Sequence, residues 1–266
     1  MTKNIIPEDY VKLQQAFIDE QKNWKTKFSS LKISHNNNYG NTKLPMIHQI
    51  DWSCDTAEIF ACVKGMLELL KVHSVQFADA IEKIETEVTE EMATEWVQQA
   101  IAINESYFAK VAEDHGFESW IPAFVAENAA KPILQLIAEI EKEQIVNNDK
   151  IGGCPCCGEP ARLAEVDKSK KKIMLCPRCH TSWGVMKLQC AYCGSSDHKN
   201  VRLIDVGEDG VEQIHICNSC NNYTKIISTG RMLKKFDPAM LDLNSIHLDY
   251  IAQQQLVTES ESEKVN

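Results

Sequence analysis

The feature that most limits how this chain can fold is a run of four CxxC pairs in its second half: Cys154/Cys157, Cys176/Cys179, Cys190/Cys193 and Cys217/Cys220. Successive pairs are separated by 18, 10 and 23 residues. Two residues between cysteines let one tight turn aim both sulfurs inward, with backbone N–H groups directed at them, and so supply half of a tetrahedron. The first and third gaps are long enough for a two-stranded hairpin that brings a second such turn alongside. The order CxxC, hairpin, CxxC therefore occurs twice, which is the layout of a zinc ribbon or rubredoxin-like site. It predicts two metal ions, iron or zinc, each in a four-cysteine site. Tetrahedral sulfur accepts either metal, so spacing does not separate them.

Several neighbouring residues fit this reading. Gly158 and Gly194 directly follow the second cysteine of their pairs, where such a turn calls for positive φ. Pro155 and Pro177 stiffen the first and second turns. Each unit runs knuckle, strand, turn, strand, knuckle, strand, which suggests an internal duplication with two sites side by side. An aromatic follows each unit's second knuckle, Trp183 and Tyr223, and is expected over its site or in the core. In GCPCCG (153–158) the extra thiol, Cys156, is spare: an incidental turn residue, or a solvent-exposed and reactive one. His180, His198 and His215 lie near knuckles, but eight cysteines already fill two tetrahedra. Lys168, Lys170, Lys171 and Lys172 cluster at the first hairpin's tip, as a solvated turn or as a contact for an acidic partner.

The rest of the chain differs in period and charge. Residues 1–150 carry 14 Lys, no Arg and 24 acids, and thus the whole formal charge of −10; the remaining residues sum to zero. The apolar positions Ile59, Cys62, Val63, Met66, Leu67 and Leu70 follow helical spacing, with Asp55 and Glu58 as a capping box. The stretch 90–114 continues the pattern, as do 131–144 and a first helix through Tyr10, Leu13, Phe17 and Trp24. Pro122 and Pro132 are each expected to begin or end a helical piece, and 34–45 reads as a loop. Cys62 reads as a small core hydrophobe. Cys54, near a helix start, is either packed or acidified. From about 151 the chain turns to short β-like runs, RLAEV, KIMLC, WGVMKL, VRLIDV, VEQIHI and YTKII, with GEDG (207–210) as a hairpin tip. The expected fold class is α+β: an acidic helical domain over 1–148, a duplicated rubredoxin-like metal-ribbon domain over 149–236, a C-terminal helix over 237–256 and a frayed tail over 257–266.

Class exclusions follow. No apolar run reaches the roughly 20 residues that span a bilayer, and no signal peptide is evident, so membrane insertion is not expected and the cytoplasm is. In a reducing compartment the cysteines point to metal or redox groups rather than structural disulfides. The charge argues against nucleic acid. No GxSxG, HExxH, Walker A or Rossmann fingerprint is present, and a closed four-cysteine site leaves no position for substrate, so no enzymatic activity is expected.

An acidic helical half followed by CPCCGEP, LCPRCHTSWGVMKLQCAYCGSS, HICNSCNNYTKI and DPAMLDLNSIHLDY resembles the formate dehydrogenase accessory protein family, FdhE. His180 and Asn221 stand where that family has glycine after a knuckle, and Leu241 replaces one of two consecutive aspartates, leaving Asp242. The resemblance implies a cytoplasmic maturation factor that engages the catalytic subunit of formate dehydrogenase during assembly. A separate sulfurtransferase accessory protein belongs to the same pathway. It also implies rubredoxin-like iron, with zinc as the other occupant. Two further readings are a rubredoxin-like redox protein acting in cofactor insertion and a nucleic-acid-binding zinc ribbon.

Overall fold

A computed structural model describes residues 6–146, 152–207, 210–230 and 237–262. The chain forms two compact units. One comprises residues 8–39 and 47–141; the other contains residues 40–46 and the described residues from 142 onward.

The first unit carries α1 (Glu8–Lys27), β1 (Lys32–His35), β2 (Ile50–Ser53), α2 (Thr56–His73), α3 (Ala78–Glu87), α4 (Glu90–Ile101), α5 (Glu105–His115) and α6 (Ile121–Ile140). Its centre is α6, which packs against α1, α2, α4 and α5. A helix that touches four others must be apolar around most of its surface, and α6 buries thirteen of its twenty residues. The predicted stripe of α2 is buried as expected, Cys62 included.

Local details depart from the sequence reading. Pro122 sits in the first turn of α6, where its missing N–H costs nothing, but Pro132 lies inside the helix. Burial of the flanking Ala129, Ala130, Ile133 and Leu134 holds the helix through that position. Asp55 does cap α2, accepting from Ala57 N at 2.9 Å. Glu58 does not complete a box: it accepts from Ser30 Oγ and Ser29 Oγ, while the Asp55 N–H donates to Ser30 Oγ at 2.8 Å. The expected loop begins within a small antiparallel hairpin, β1 with β2, that the residue pattern did not announce. The helical stretch 90–114 is two helices, broken at Ile103, whose φ is +56°, with Asn104 capping α5.

After α7 (Lys142–Val146), the second unit carries β3 (Leu163–Val166), β4 (Lys172–Leu175), β5 (Ser182–Gly184), β6 (Val201–Val206), β7 (Glu212–Cys217), β8 (Asn222–Ser228), α8 (Pro238–Asn244) and α9 (Ile246–Ser262). The strands form one sheet in the order β5-β4-β3-β8-β7-β6. Every pair is antiparallel except β3 with β8, where Leu163 stands opposite Lys225. Each repeat is a three-stranded meander, and the first strand of one lies parallel to the last strand of the other. The repeats are thus related by translation along the sheet, and all four knuckles fall at the same end of it.

Strand alternation divides the core. Leu163, Leu175, Ile214, Ile216 and Ile227 face one way and pack with Leu241, Leu248 and Ala252 of α8 and α9. Ala164, Met174 and Ile226 face the other way, with Ala161 and Ala191. The run WGVMKL is strand only at its start, because Met186 to Gln189 form a turn. The single expected C-terminal helix is two, separated at Ser245, and the second continues to Ser262 through part of the expected tail. Residues 147–151 at the expected domain boundary, 208–209 of the GEDG tip and 263–266 of the tail lie outside the described residues. Among the described residues no helix is long and apolar enough to cross a membrane.

A β-branched residue in the left-handed region costs about 1–2 kcal/mol. Ile103 is 48 % exposed and so loses little packing on removal. Ile103→Gly is therefore expected to raise stability by roughly 1 kcal/mol, read as a higher denaturant midpoint with an unchanged slope.

Candidate metal centre

The four knuckles are built alike. In each, the N–H of the residue after the second cysteine donates to the carbonyl of the first: Gly158 to Cys154 at 2.9 Å, His180 to Cys176 at 3.0 Å, Gly194 to Cys190 at 3.0 Å and Asn221 to Cys217 at 2.8 Å. All four donors have positive φ: +82°, +62°, +76° and +52°. His180 and Asn221 therefore take the backbone conformation of the two glycines, and all four turns agree. In three knuckles the first cysteine's N–H also returns to the carbonyl two residues past the second, as from Cys154 to Glu159 at 2.7 Å. Amides aim at sulfur too: Cys156 N donates to Cys154 Sγ and Tyr192 N to Cys190 Sγ, both at 3.4 Å.

These turns bring the eight predicted cysteines into two sets. The sulfurs of Cys154, Cys157, Cys176 and Cys179 all lie within 4.8 Å of one another, as do those of Cys190, Cys193, Cys217 and Cys220. Close pairs are 3.4 Å (Cys154–Cys179), 3.6 Å (Cys157–Cys176), 3.8 Å (Cys190–Cys220) and 3.7 Å (Cys193–Cys217). A disulfide needs about 2.05 Å, and all eleven cysteines are free. Metal–sulfur bonds of about 2.3 Å in a tetrahedron set an edge of about 3.8 Å. Each set could therefore hold one metal ion, with no large movement of its ligands.

The electrostatics agree. Burial pushes Cys154 and Cys176 well above the usual thiol range. Burial also acts to raise Cys179, but hydrogen bonds from Cys154, Cys156, Cys157 and Cys176 outweigh it and hold Cys179 low. Full ionisation of four clustered thiols needs a cation among them.

Other candidates fall outside both sets. Cys156 is fully buried, not solvent-exposed as one sequence reading had it. Pro45 and Met46, distant in sequence, lie against its turn: Met46 N–H donates to Pro155 O at 2.9 Å, and the Pro45 ring lies against Gly158. His180 contacts Asp237, the cap of α8, at 3.4 Å. His215 is buried in β7 with no hydrogen bond to Nδ1; burial, with the charges of Lys172 and Lys187, pushes its pKa down to about 3. The side chain of His198 lies outside the described residues. Lys172 leaves the expected surface cluster: it is buried in β4, donates to Gln189 O at 3.1 Å, and burial lowers its pKa to about 8. Lys168, Lys170 and Lys171 remain exposed at the tip. Cys54 is not acidified: burial raises its pKa.

Trp183 and Tyr223 do not play matching parts. Trp183 is four residues past its knuckle and Tyr223 three, and one residue of offset turns a strand side chain to the other face. Trp183 packs with Met174 and Ala191, and Tyr223 lies on the helix-covered face. There Tyr223 donates to Asp249 Oδ1 at 2.8 Å. Lys225, only 1 % exposed, is held by Asp249 Oδ2 at 2.8 Å and Asp242 Oδ1 at 2.6 Å. Tyr223, Asp242 and Asp249 also line a cavity of about 400 Å³, together with Arg162, Pro177 and Tyr250. Periodicity and spacing did not disclose this network, because it joins a strand to two helices across the sheet face.

Two outcomes follow. A Cβ at position 153 would meet Gly158 O at 2.6 Å. Gly153→Ala is expected to distort the first knuckle, destabilise by roughly 2 kcal/mol and reduce bound metal from two equivalents to one, by elemental analysis. Truncating one member of a buried ion pair strands the others. Lys225→Met should cost roughly 3 kcal/mol in denaturant unfolding, and the added change Asp249→Asn should restore part of it.

No protein-family model matches the chain. It is 26 % identical over 152 residues to the protein FdhE homolog of Aquifex aeolicus, covering 53 % of this chain and 51 % of that protein. To the Haemophilus influenzae (strain PittEE) FdhE homolog it is 28 % identical over 109 residues, 40 % of this chain and 35 % of the relative. The chain thus spans about half or less of the length of these curated relatives. The crystal structure of FdhE from Pseudomonas aeruginosa superposes with a TM-score of 0.62 at 17 % identity, over 93 % of this chain and 84 % of that one. The chain is thus similar in part of its sequence to FdhE homologues and shares its fold with an FdhE protein.

Proposed function

We propose that this protein is a non-catalytic accessory factor that engages the catalytic subunit of a formate dehydrogenase during assembly, in the cytoplasm. The similarity to FdhE proteins supports the choice of client. The observation that carries the non-catalytic part is the completeness of the two sulfur sets. Cys154, Cys157, Cys176 and Cys179 would hold one ion and Cys190, Cys193, Cys217 and Cys220 the other. Four protein ligands leave no position for a substrate or a reactive water. An ion bound this way supplies a cross-link between knuckles and, through it, folding free energy. The chain's own residues then do the work: the turns fix the ends of the strands, and the sheet presents a rigid surface.

Iron and zinc both fit tetrahedral sulfur, and metal analysis of protein purified from its own host distinguishes them. The functional reading is tested by affinity purification of the full-length protein. A formate dehydrogenase catalytic subunit is expected to copurify. A Cys176→Ser variant, with one cage opened, is expected to carry one equivalent of metal and to recover at least tenfold less client. Absence of any association, with full formate dehydrogenase activity in a strain lacking the protein, would defeat the proposal.

A further inference from the structure

The two sulfur sets share a backbone frame but not an environment. Cys154, Cys157, Cys176 and Cys179 are between 0 % and 3 % exposed. In the second set Cys193 is exposed, Cys220 half-buried, Cys190 9 % exposed and Cys217 buried. A covering segment accompanies the difference. Met46 N–H is tied to Pro155 O and Pro45 lies on Gly158, so these two residues lie against the first knuckle. Both of these contacts fall on the first set. The second set also has a built-in partner for its exposed sulfur, because Cys217 Sγ lies 3.7 Å from Cys193 Sγ.

We propose that the second cluster is a modification site for low-molecular-weight disulfides, which react at Cys193 and release its ion while the first cluster stays loaded. This rests on the reading that both sets hold metal. A metal-bound thiolate remains a nucleophile when a reagent can reach it. The Cys193 thiolate attacks one sulfur of the reagent R–S–S–R; that S–S bond breaks and one thiolate RS⁻ leaves. Cys217 Sγ then attacks the mixed disulfide at the Cys193 sulfur and expels the second RS⁻. Two cysteinyl thiolates become one Cys193–Cys217 disulfide, the reagent is reduced to two thiolates, and the ion departs hydrated with its oxidation state unchanged. Closing the gap of 3.7 Å to about 2.05 Å is a small movement, within the reach of a half-exposed turn. In the first set a reagent of that size has no approach to any of the four sulfurs.

The test uses the full chain loaded with two equivalents of zinc and titrated with oxidised glutathione. Released zinc is followed with a colorimetric chelator, and thiols are mapped by isotope-coded alkylation and peptide mass spectrometry. One equivalent is expected to leave at least tenfold faster than the other, with a disulfide linking the peptides of Cys193 and Cys217 and the peptides of Cys154, Cys157, Cys176 and Cys179 still reduced. Simultaneous loss of both ions, earlier loss from the first set, or no release under conditions that oxidise a free-cysteine peptide would each overturn the proposal. A protein that binds fewer than two equivalents at the outset would instead defeat the two-cluster reading. The wild-type chain suffices for all of these readings, so none depends on a variant that fails to fold.

Discussion

Packing eight sulfurs at one end of a small sheet is the constraint around which the second unit is organised. A buried thiol resists ionisation, and four of them within 4.8 Å of one another can share only a little negative charge. The backbone nonetheless commits four tight turns, two of them closed by non-glycine residues at positive φ, to putting the sulfurs there. That arrangement is favourable only with a cation at its centre. The strands that meet the turns are short, and the core on the face away from the helices is made of a few alanines, one methionine and one isoleucine. That core is smaller than the one beneath the helices, although Trp183 packs against it. Ions held by the two sulfur sets would add cross-links to that face of the sheet.

The other face is secured differently. Leu241, Leu248 and Ala252 press on the strands, and Lys225 is buried among the carboxylates of Asp242 and Asp249. A buried lysine is poor evidence for stability in itself, since its desolvation offsets most of what the ion pairs return. It is good at fixing register. Lys225 stands opposite Leu163 at the parallel junction, so one ammonium group ties the seam between the repeats to the helices that cover it. A second link, between Asp237 at the cap of α8 and His180, ties the helices to the second knuckle between β4 and β5.

The knuckles were legible in the sequence because their signal is local: the spacing, the glycines and the intervening hairpins all lie within a few residues of the ligands. The helical half was legible as a type, through one-sided apolar spacing, but not in its breaks. Ile103 interrupts a continuous helical pattern with a residue that gives no warning of positive φ, while Pro132 warns of a break that burial overrides. The unmatched parts of Trp183 and Tyr223 were readable in principle, since counting from each knuckle shows the offset. The burial of Cys156 was not. Its turn is contacted by Pro45 and Met46, more than a hundred positions away in the chain, and no periodicity or spacing reports such a contact.

The parallel pairing of β3 with β8 has one more consequence. A rotation relating the two repeats could have closed the arrangement on itself; a translation cannot. The sheet has a different edge at each end, β5 on one side and β6 on the other, and in principle another meander could be added to either. Growth past β5 finds only three residues of strand before the chain turns away at Met186, whereas β6 is six residues long and carries Arg202 and Asp205 beside the exposed Leu203. Short or charged borders of this kind discourage neighbouring chains from docking edge to edge.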